Sequence, residues 1–175
     1  MKLHELVPAQ VKANTYNVII EISAGEQKVK YEYDPELGCI TVDRFVQTAF
    51  HYPCNYGFIP QTLALDGDPV DALVLSNAPL MPGSVIEVRV VGMLMMEDEK
   101  GRDEKILCLP TEKADPSLAY IQEYTDLSPQ LLNQLKHFFE RYKDLDQGKW
   151  VKVTGYENKK AAEQSILDGI KAVKK

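Results

Sequence analysis

The chain has no apolar run approaching the about 18 residues that a membrane helix needs, so no spanning helix is predicted. It also lacks an excess of positive charge. Lys and Arg number 20 against 26 Asp and Glu, a net charge of −6. That balance argues against a broad nucleic-acid footprint and gives no attraction to anionic membranes. Cysteine is scarce. Cys39, Cys54 and Cys108 are odd in number, far apart and free of any CxxC. This excludes a disulfide framework and fits reduced thiols in a cytosol. The opening "MKLHELVPAQ" has no apolar h-region, so no secretory leader is expected and the cytoplasm is the expected compartment. The three histidines, His4, His51 and His137, have no ligand spacing and read as surface or packing residues. There is no internal repeat, low-complexity stretch or linker rich in Gly, Ser and Pro. One domain over residues 1–175 follows.

What is present is ordinary globular material, 45% hydrophobic and 26% charged. The first 110 residues are strand-like. "NVIIEIS" (17–23) is apolar and β-branched, and "VKYEYD" (29–34) alternates. "AGEQK" between them reads as a hairpin connection. Further strands are predicted at 39–43, 71–75, 85–96 and 104–109. The last third is helical. Ser128 caps and Pro129 starts a helix whose stripe is Leu131, Leu135, Phe138 and Tyr142. A strand at 150–156 and a helix at 159–173 close the chain. Short strands first and helices late predict an α+β domain, a small β-barrel with helices on its outside.

The chemistry begins at "LALDGDPVDALVL" (63–75), where Asp66, Asp68 and Asp71 crowd between apolar runs. Alone, DGDP is good turn chemistry. An EF-hand is excluded, because Gly stands second, Pro interrupts the loop and the twelfth position is Asn77. A second acidic knot, "EDEKGRDEK" (97–105), holds Glu97, Asp98, Glu99, Asp103 and Glu104. Alone it is a solvated hairpin tip. Together, two carboxylate knots at strand ends without nearby His or Cys suit a hard cation such as Mg²⁺ or Mn²⁺ and not Zn²⁺. Lys30, Arg44, Tyr56, Tyr142 and Lys143 supply groups for anionic oxygens. Glu21 lies mid-strand, where a charge implies a wet or functional face. Carboxylates for metals beside Lys, Arg and Tyr for anions point to phosphoryl chemistry.

With these residues in view, the chain resembles the soluble inorganic pyrophosphatases of family I, in their short bacterial form. The motifs are "EI" (21–22), "KYEYD" (30–34), "VDRF" (42–45), "YPCNYGFIP" (52–60), "DGDPVD" (66–71), "EDEKGRDEK", "HFFERYKDL" (137–145) and "GKWVKV" (148–153). The resemblance implies a five-stranded OB-like barrel with flanking C-terminal helices, hydrolysis of pyrophosphate to two phosphates, and several Mg²⁺ ions per subunit. It implies metal ligands at Asp66, Asp71, Asp98 and Asp103. Glu21 and Glu32 match carboxylates that act through metal-bound waters. Lys30, Arg44, Tyr56, Lys105, Tyr142 and Lys143 match phosphate-holding groups, and Asp68 the proton acceptor for the attacking water. It further implies a homohexamer of paired trimers. Arg141 departs from the histidine of many bacterial relatives near a subunit contact.

Two other readings are open at this point. An OB-type module could bind oligonucleotides without catalysis, stacking bases on Tyr52, Tyr56 and Phe58. A thiol enzyme could use Cys54, although no local His–Cys signature accompanies it.

Overall fold

The structure, a computed structural model, describes residues 2–173. Its elements in chain order are α1 (Leu3–Leu6), β1 (Gln10–Lys12), β2 (Thr15–Ile22), β3 (Val29–Asp34), β4 (Cys39–Phe45), β5 (Asn55–Ile59) and β6 (Val70–Val74). Then follow β7 (Val85–Asp98), β8 (Gly101–Pro110), α2 (Pro129–Arg141), β9 (Val151–Asn158) and α3 (Lys159–Val173).

The main sheet runs β1-β2-β5-β6-β8-β7-β9, and β2 also pairs with β7. The pairings from β2 through β5, β6, β8 and β7 therefore return to β2, a ring of five strands. Only β6 and β8 run parallel; the other pairs are antiparallel. The α+β class read from the sequence stands, with strands first and the long helices C-terminal. Closing the ring demands close approach. A Cβ on Gly57 of β5 would lie 2.1 Å from the Ile19 carbonyl oxygen of β2, so only glycine fits there.

Alternate residues along the strands enter two cores. Leu73, Leu94 and Leu107 join a cluster with Leu135, Phe138 and Phe139 of α2. Ala72, Ile106 and Val18 join another with Ala162 and Ile166 of α3. The period of two is thus satisfied by apolar packing on both faces. The start of α2 is as expected: Pro129 opens it, and the Ser128 hydroxyl accepts from the Leu131 N–H at 3.2 Å. α2 ends at Arg141, with Tyr142 as its C-cap.

Two expectations are corrected. Residues 24–28 do not join a hairpin. β2 pairs with β1, β5 and β7, whereas β3 pairs with β4 in a separate two-stranded sheet. The cause is competition: both edges of β2 are taken by the ring. In addition, β5 is a strand that the sequence pattern did not suggest. Its aromatics and Gly57 lack alternation because the strand is largely buried on both faces.

Candidate active site

Strand geometry gathers the charges at one end of the ring. Asp103 and Lys105 are two residues apart on β8 and so share a face. Lys105 is the Cα partner of Asp71 on the parallel neighbour β6. Its ammonium falls between the carboxylates, 2.5 Å from Asp71 Oδ2 and 2.6 Å from Asp103 Oδ1. The Tyr56 hydroxyl of β5 lies 3.3 Å away. The side chain of Lys105 is only 5% exposed. Burial alone would lower its pKa, but Asp71 and Asp103 overcome that and hold it above the usual lysine value.

Two register shifts turn further charges into the same space. In β2, Ile20 pairs with Gly57 and Ile22 with Tyr56, leaving Glu21 as the extra residue of a bulge. Glu21 is buried and accepts the Tyr33 N–H at 2.7 Å. Burial pushes its carboxyl up to about 8, outweighing that hydrogen bond, with Asp71 and Glu32 adding to the rise. In β4, Lys30 pairs with Arg44 and Tyr31 with Val42, so Asp43 is the bulged residue. Asp43 Oδ2 accepts from both Lys30 and Arg44 at 3.1 Å. Lys30 also pairs with Glu32.

The remaining groups come from loops and ends. Asp98 closes β7 and accepts from Lys143 at 3.2 Å. Burial alone would raise the Glu99 pKa, but the hydrogen bond from Lys149 at 2.7 Å, backbone N–H donors and the Lys143 charge together outweigh it and bring the carboxyl down to about 2. Tyr142 is buried against Phe138, with ring centroids 5.1 Å apart. The buried Thr48 hydroxyl donates to the Tyr142 carbonyl at 3.2 Å, and Arg44 Nε stands 3.8 Å from Asp146. These two contacts tie the segment after α2 to the chain leaving β4. Asp66 and Asp68 lie on the loop between β5 and β6, where Gly67 takes φ +91° and Asp68 N–H donates to Asp66 Oδ1 at 3.0 Å. Partial burial, then Asp66, raises the Asp68 pKa.

Apart from the supporting Thr48, Phe138 and Asp146, these side chains line one cavity of about 540 Å³. It contains every site residue named from the sequence: Glu21, Lys30, Glu32, Arg44, Tyr56, Asp66, Asp68, Asp71, Asp98, Asp103, Lys105, Tyr142 and Lys143. Sequence reasoning missed Asp43, Glu99 and Lys149 as cavity residues. All three lay inside motifs already noted, but only the fold brings Lys149 of "GKWVKV" beside Glu99. His4 lines the cavity edge against Tyr33, with ring centroids 5.3 Å apart.

The lining holds nine carboxylates against seven Lys and Arg. Among the described residues, Asp66, Asp68 and Glu21 have no ion-pair partner. No three carboxylate, imidazole or thiol groups among the described residues are gathered tightly enough to cage an ion as they stand. Lys105 takes that place between Asp71 and Asp103. The carboxylates fit hard divalent cations nonetheless: they are oxygen donors, they outnumber the Lys and Arg of the lining, and no cysteine is among the lining residues. Such a cavity can hold cations on carboxylates and anionic oxygens on ammonium, guanidinium and hydroxyl groups. That is the equipment of a hydrolase for phosphoanhydrides.

Comparison with known proteins gives the same class. The family model for inorganic pyrophosphatase matches residues 18–174. The chain is 57% identical over 166 residues to the inorganic pyrophosphatase of Rickettsia conorii, covering 94% of this chain and 96% of that one. It is 49% identical over 175 residues to that of Ralstonia nicotianae, with both chains fully covered. Among solved structures, the inorganic pyrophosphatase of Coxiella burnetii superposes with a TM-score of 0.93 at 51% identity, covering 95% of this chain and 99% of the other. That of Helicobacter pylori gives 0.93 at 49% identity, covering 97% and 99%. The chain belongs to the inorganic pyrophosphatase family.

The alternatives lose their footing in the same geometry. Tyr52 and Phe58 are buried, Tyr52 against Phe138 at 4.8 Å and Phe58 against Tyr33 at 5.6 Å, so neither presents a face to a base. Cys54 is buried, and burial pushes its thiol up to about 12, far from a nucleophile's range.

Proposed function

We infer that this chain hydrolyses inorganic pyrophosphate to two orthophosphates with divalent cations, Mg²⁺ first among them and Mn²⁺ as a possible substitute. The observation that carries the reading is the single cavity in which all the family-matched carboxylates and cations meet. Asp66, Asp71, Asp98 and Asp103 would hold the cations, with Glu21 and Glu32 acting at longer range through water. Bound there, the cations would neutralise the charge of pyrophosphate and acidify the attacking water.

The protein groups do the rest. Lys30, Arg44, Tyr56, Tyr142 and Lys143 orient the phosphoryl groups and stabilise charge on the leaving phosphate. Lys105, locked between Asp71 and Asp103, acts on these carboxylates as much as on substrate. Asp68 accepts the proton of the attacking water. Its raised pKa makes it a better base than an ordinary carboxylate, and among the described residues it has no ion-pair partner.

For the compartment, the free thiols Cys39, Cys54 and Cys108 support the cytoplasm. For assembly, a homohexamer is supported by the polar face of α2, where Lys136, His137 and Arg141 are exposed beside the apolar stripe. Arg141 pairs at 3.5 Å with Asp144 on its own chain. The test of function is phosphate release from pyrophosphate with Mg²⁺ and with a chelator. Release only with the metal is expected; no release in either condition would refute the reading.

A further inference from the structure

Asp71 is held in place by the sheet, because β6 pairs with β5 on one side and β8 on the other. Asp66 and Asp68 have no such support. They stand on the loop 60–69, which pairs with no strand. Something else must fix them relative to Asp71.

The structure shows a clamp at the base of this loop. Ile59 and Val70 face each other as the last pair of the β5–β6 ladder. The buried hydroxyl of Thr62 donates to the Ile59 carbonyl at 2.6 Å and accepts the Val70 N–H at 2.9 Å. One side chain thus joins the end of β5 to the start of β6, one residue before Asp71. α3 presses on the same spot. The Leu63 N–H donates to the Gly169 carbonyl at 3.1 Å. A Cβ on Gly169 would meet Val70 Cγ2 at 2.9 Å and Thr62 Cβ at 3.3 Å. The absent side chain is what lets the helix seat against the clamp. Beyond it the loop closes on itself, since the Ala64 N–H donates to the Asp68 carbonyl at 2.7 Å.

We propose that Thr62, seated on Gly169 of α3, is a positioning residue for the aspartate loop and sets where Asp66 and Asp68 stand relative to Asp71. It touches neither substrate nor metal and acts only through these carboxylates. The inference rests on the reading of those aspartates as a cation site.

The test compares the parent protein with Thr62→Val, Thr62→Ser and Gly169→Ala. Mg²⁺ binding is measured by calorimetry without substrate, and folding by melting in EDTA. Thr62→Val keeps the shape and loses both hydrogen bonds. Its Mg²⁺ affinity should fall ~10-fold, the scale of lost supporting contacts around a metal site. Thr62→Ser, which keeps the hydroxyl, should restore it. Gly169→Ala keeps the hydroxyl but pushes the helix off the clamp, and should weaken Mg²⁺ binding in the same direction. A Thr62→Val protein that melts lower yet binds Mg²⁺ like the parent would show a merely structural role and overturn the proposal. If Thr62→Val fails to fold, parental Mg²⁺ affinity in Gly169→Ala overturns it equally. A parent that binds no Mg²⁺ would overturn the cation reading itself, and this inference with it.

Discussion

Lys105 places its ammonium 2.5 Å from Asp71 Oδ2 and is almost wholly buried. The sequence presented the aspartates as crowded charges suited to a hard divalent cation. In the folded chain part of the neutralising charge comes from a lysine, which also engages Asp103 at 2.6 Å. Lys105 is therefore a structural counter-charge before it is anything else. Replacing it with Met keeps the stem and removes the charge. Two carboxylates are then left without a partner, and breaking a buried pair from one side costs ~3–5 kcal/mol. The midpoint of Lys105→Met should drop in EDTA, and Mg²⁺ should recover a large part of the loss by neutralising the same carboxylates. Thermal melts of both proteins in EDTA and in Mg²⁺ check this. An identical gap in the two conditions would show that metal and lysine do not serve the same carboxylates.

Asp68 and Asp71 differ in their surroundings, and that difference predicts different failures. Asp71 is locked in the ladder beside Lys105, whereas Asp68 is free of ion pairs and has a raised pKa. Asp68→Asn should lower kcat by ~10²–10⁴-fold, the scale of a lost general base, with Mg²⁺ affinity kept. Asp71→Asn should weaken Mg²⁺ binding. It should also destabilise the metal-free protein, because Lys105 loses a partner. Steady-state kinetics with Mg²⁺ titrations separate the two, and equal loss of metal affinity in both variants would refute the assignment.

Much of this site was legible in the sequence, for a local reason. Acidic knots such as DGDPVD and EDEKGRDEK break apolar strand patterns, and a broken pattern marks a strand end. Glu21 was visible as a charge in an apolar run, but the reason for it was not: the bulge opposite Gly57 and Tyr56 depends on which strand pairs with β2. Asp43 is the same case, turned inward by a bulge opposite Lys30 and Tyr31. Pairing partners are chosen by long-range packing, and hydrophobic period carries no record of them. That is also why residues 24–28 read as a hairpin and β5 went unseen. Lys149 lies far along the chain from Glu99 and shows nothing by itself. Only the hydrogen bond at 2.7 Å reveals it.

Assembly is checked by mass. The exposed polar face of α2, with Lys136, His137 and Arg141, suits an ionic contact between copies. Light scattering at micromolar concentration should report six times the chain mass. A monomer would refute the hexamer. Arg141→Ala should leave the hexamer intact if the Asp144 pairing seen here is its main engagement, since such exposed pairs contribute ~0–1 kcal/mol.

Glu21 carries a prediction in pH. Its carboxyl is buried by the β2 bulge, and burial raises its folded pKa to about 8. In the unfolded chain a glutamate titrates near ~4.3. Between these values the folded state holds a proton that the unfolded state has released. Stability falls with rising pH wherever the folded state binds more protons, so this group contributes a loss of stability across that window. Below the window both states are protonated, and above it both are ionised, so the slope vanishes at each end. Glu21→Gln keeps an oxygen to accept the Tyr33 N–H, now at 2.7 Å, and removes the titration. In EDTA, the stability of the parent relative to Glu21→Gln should therefore decline steadily as pH rises from about 5 toward about 8. Denaturant unfolding of both proteins at several pH values measures that difference. Mg²⁺ should flatten the decline, because a cation near the ionised carboxylate offsets the cost of burying its charge. A difference that stays constant or grows in favour of the parent would mean that Glu21 is ionised throughout and that water reaches it freely.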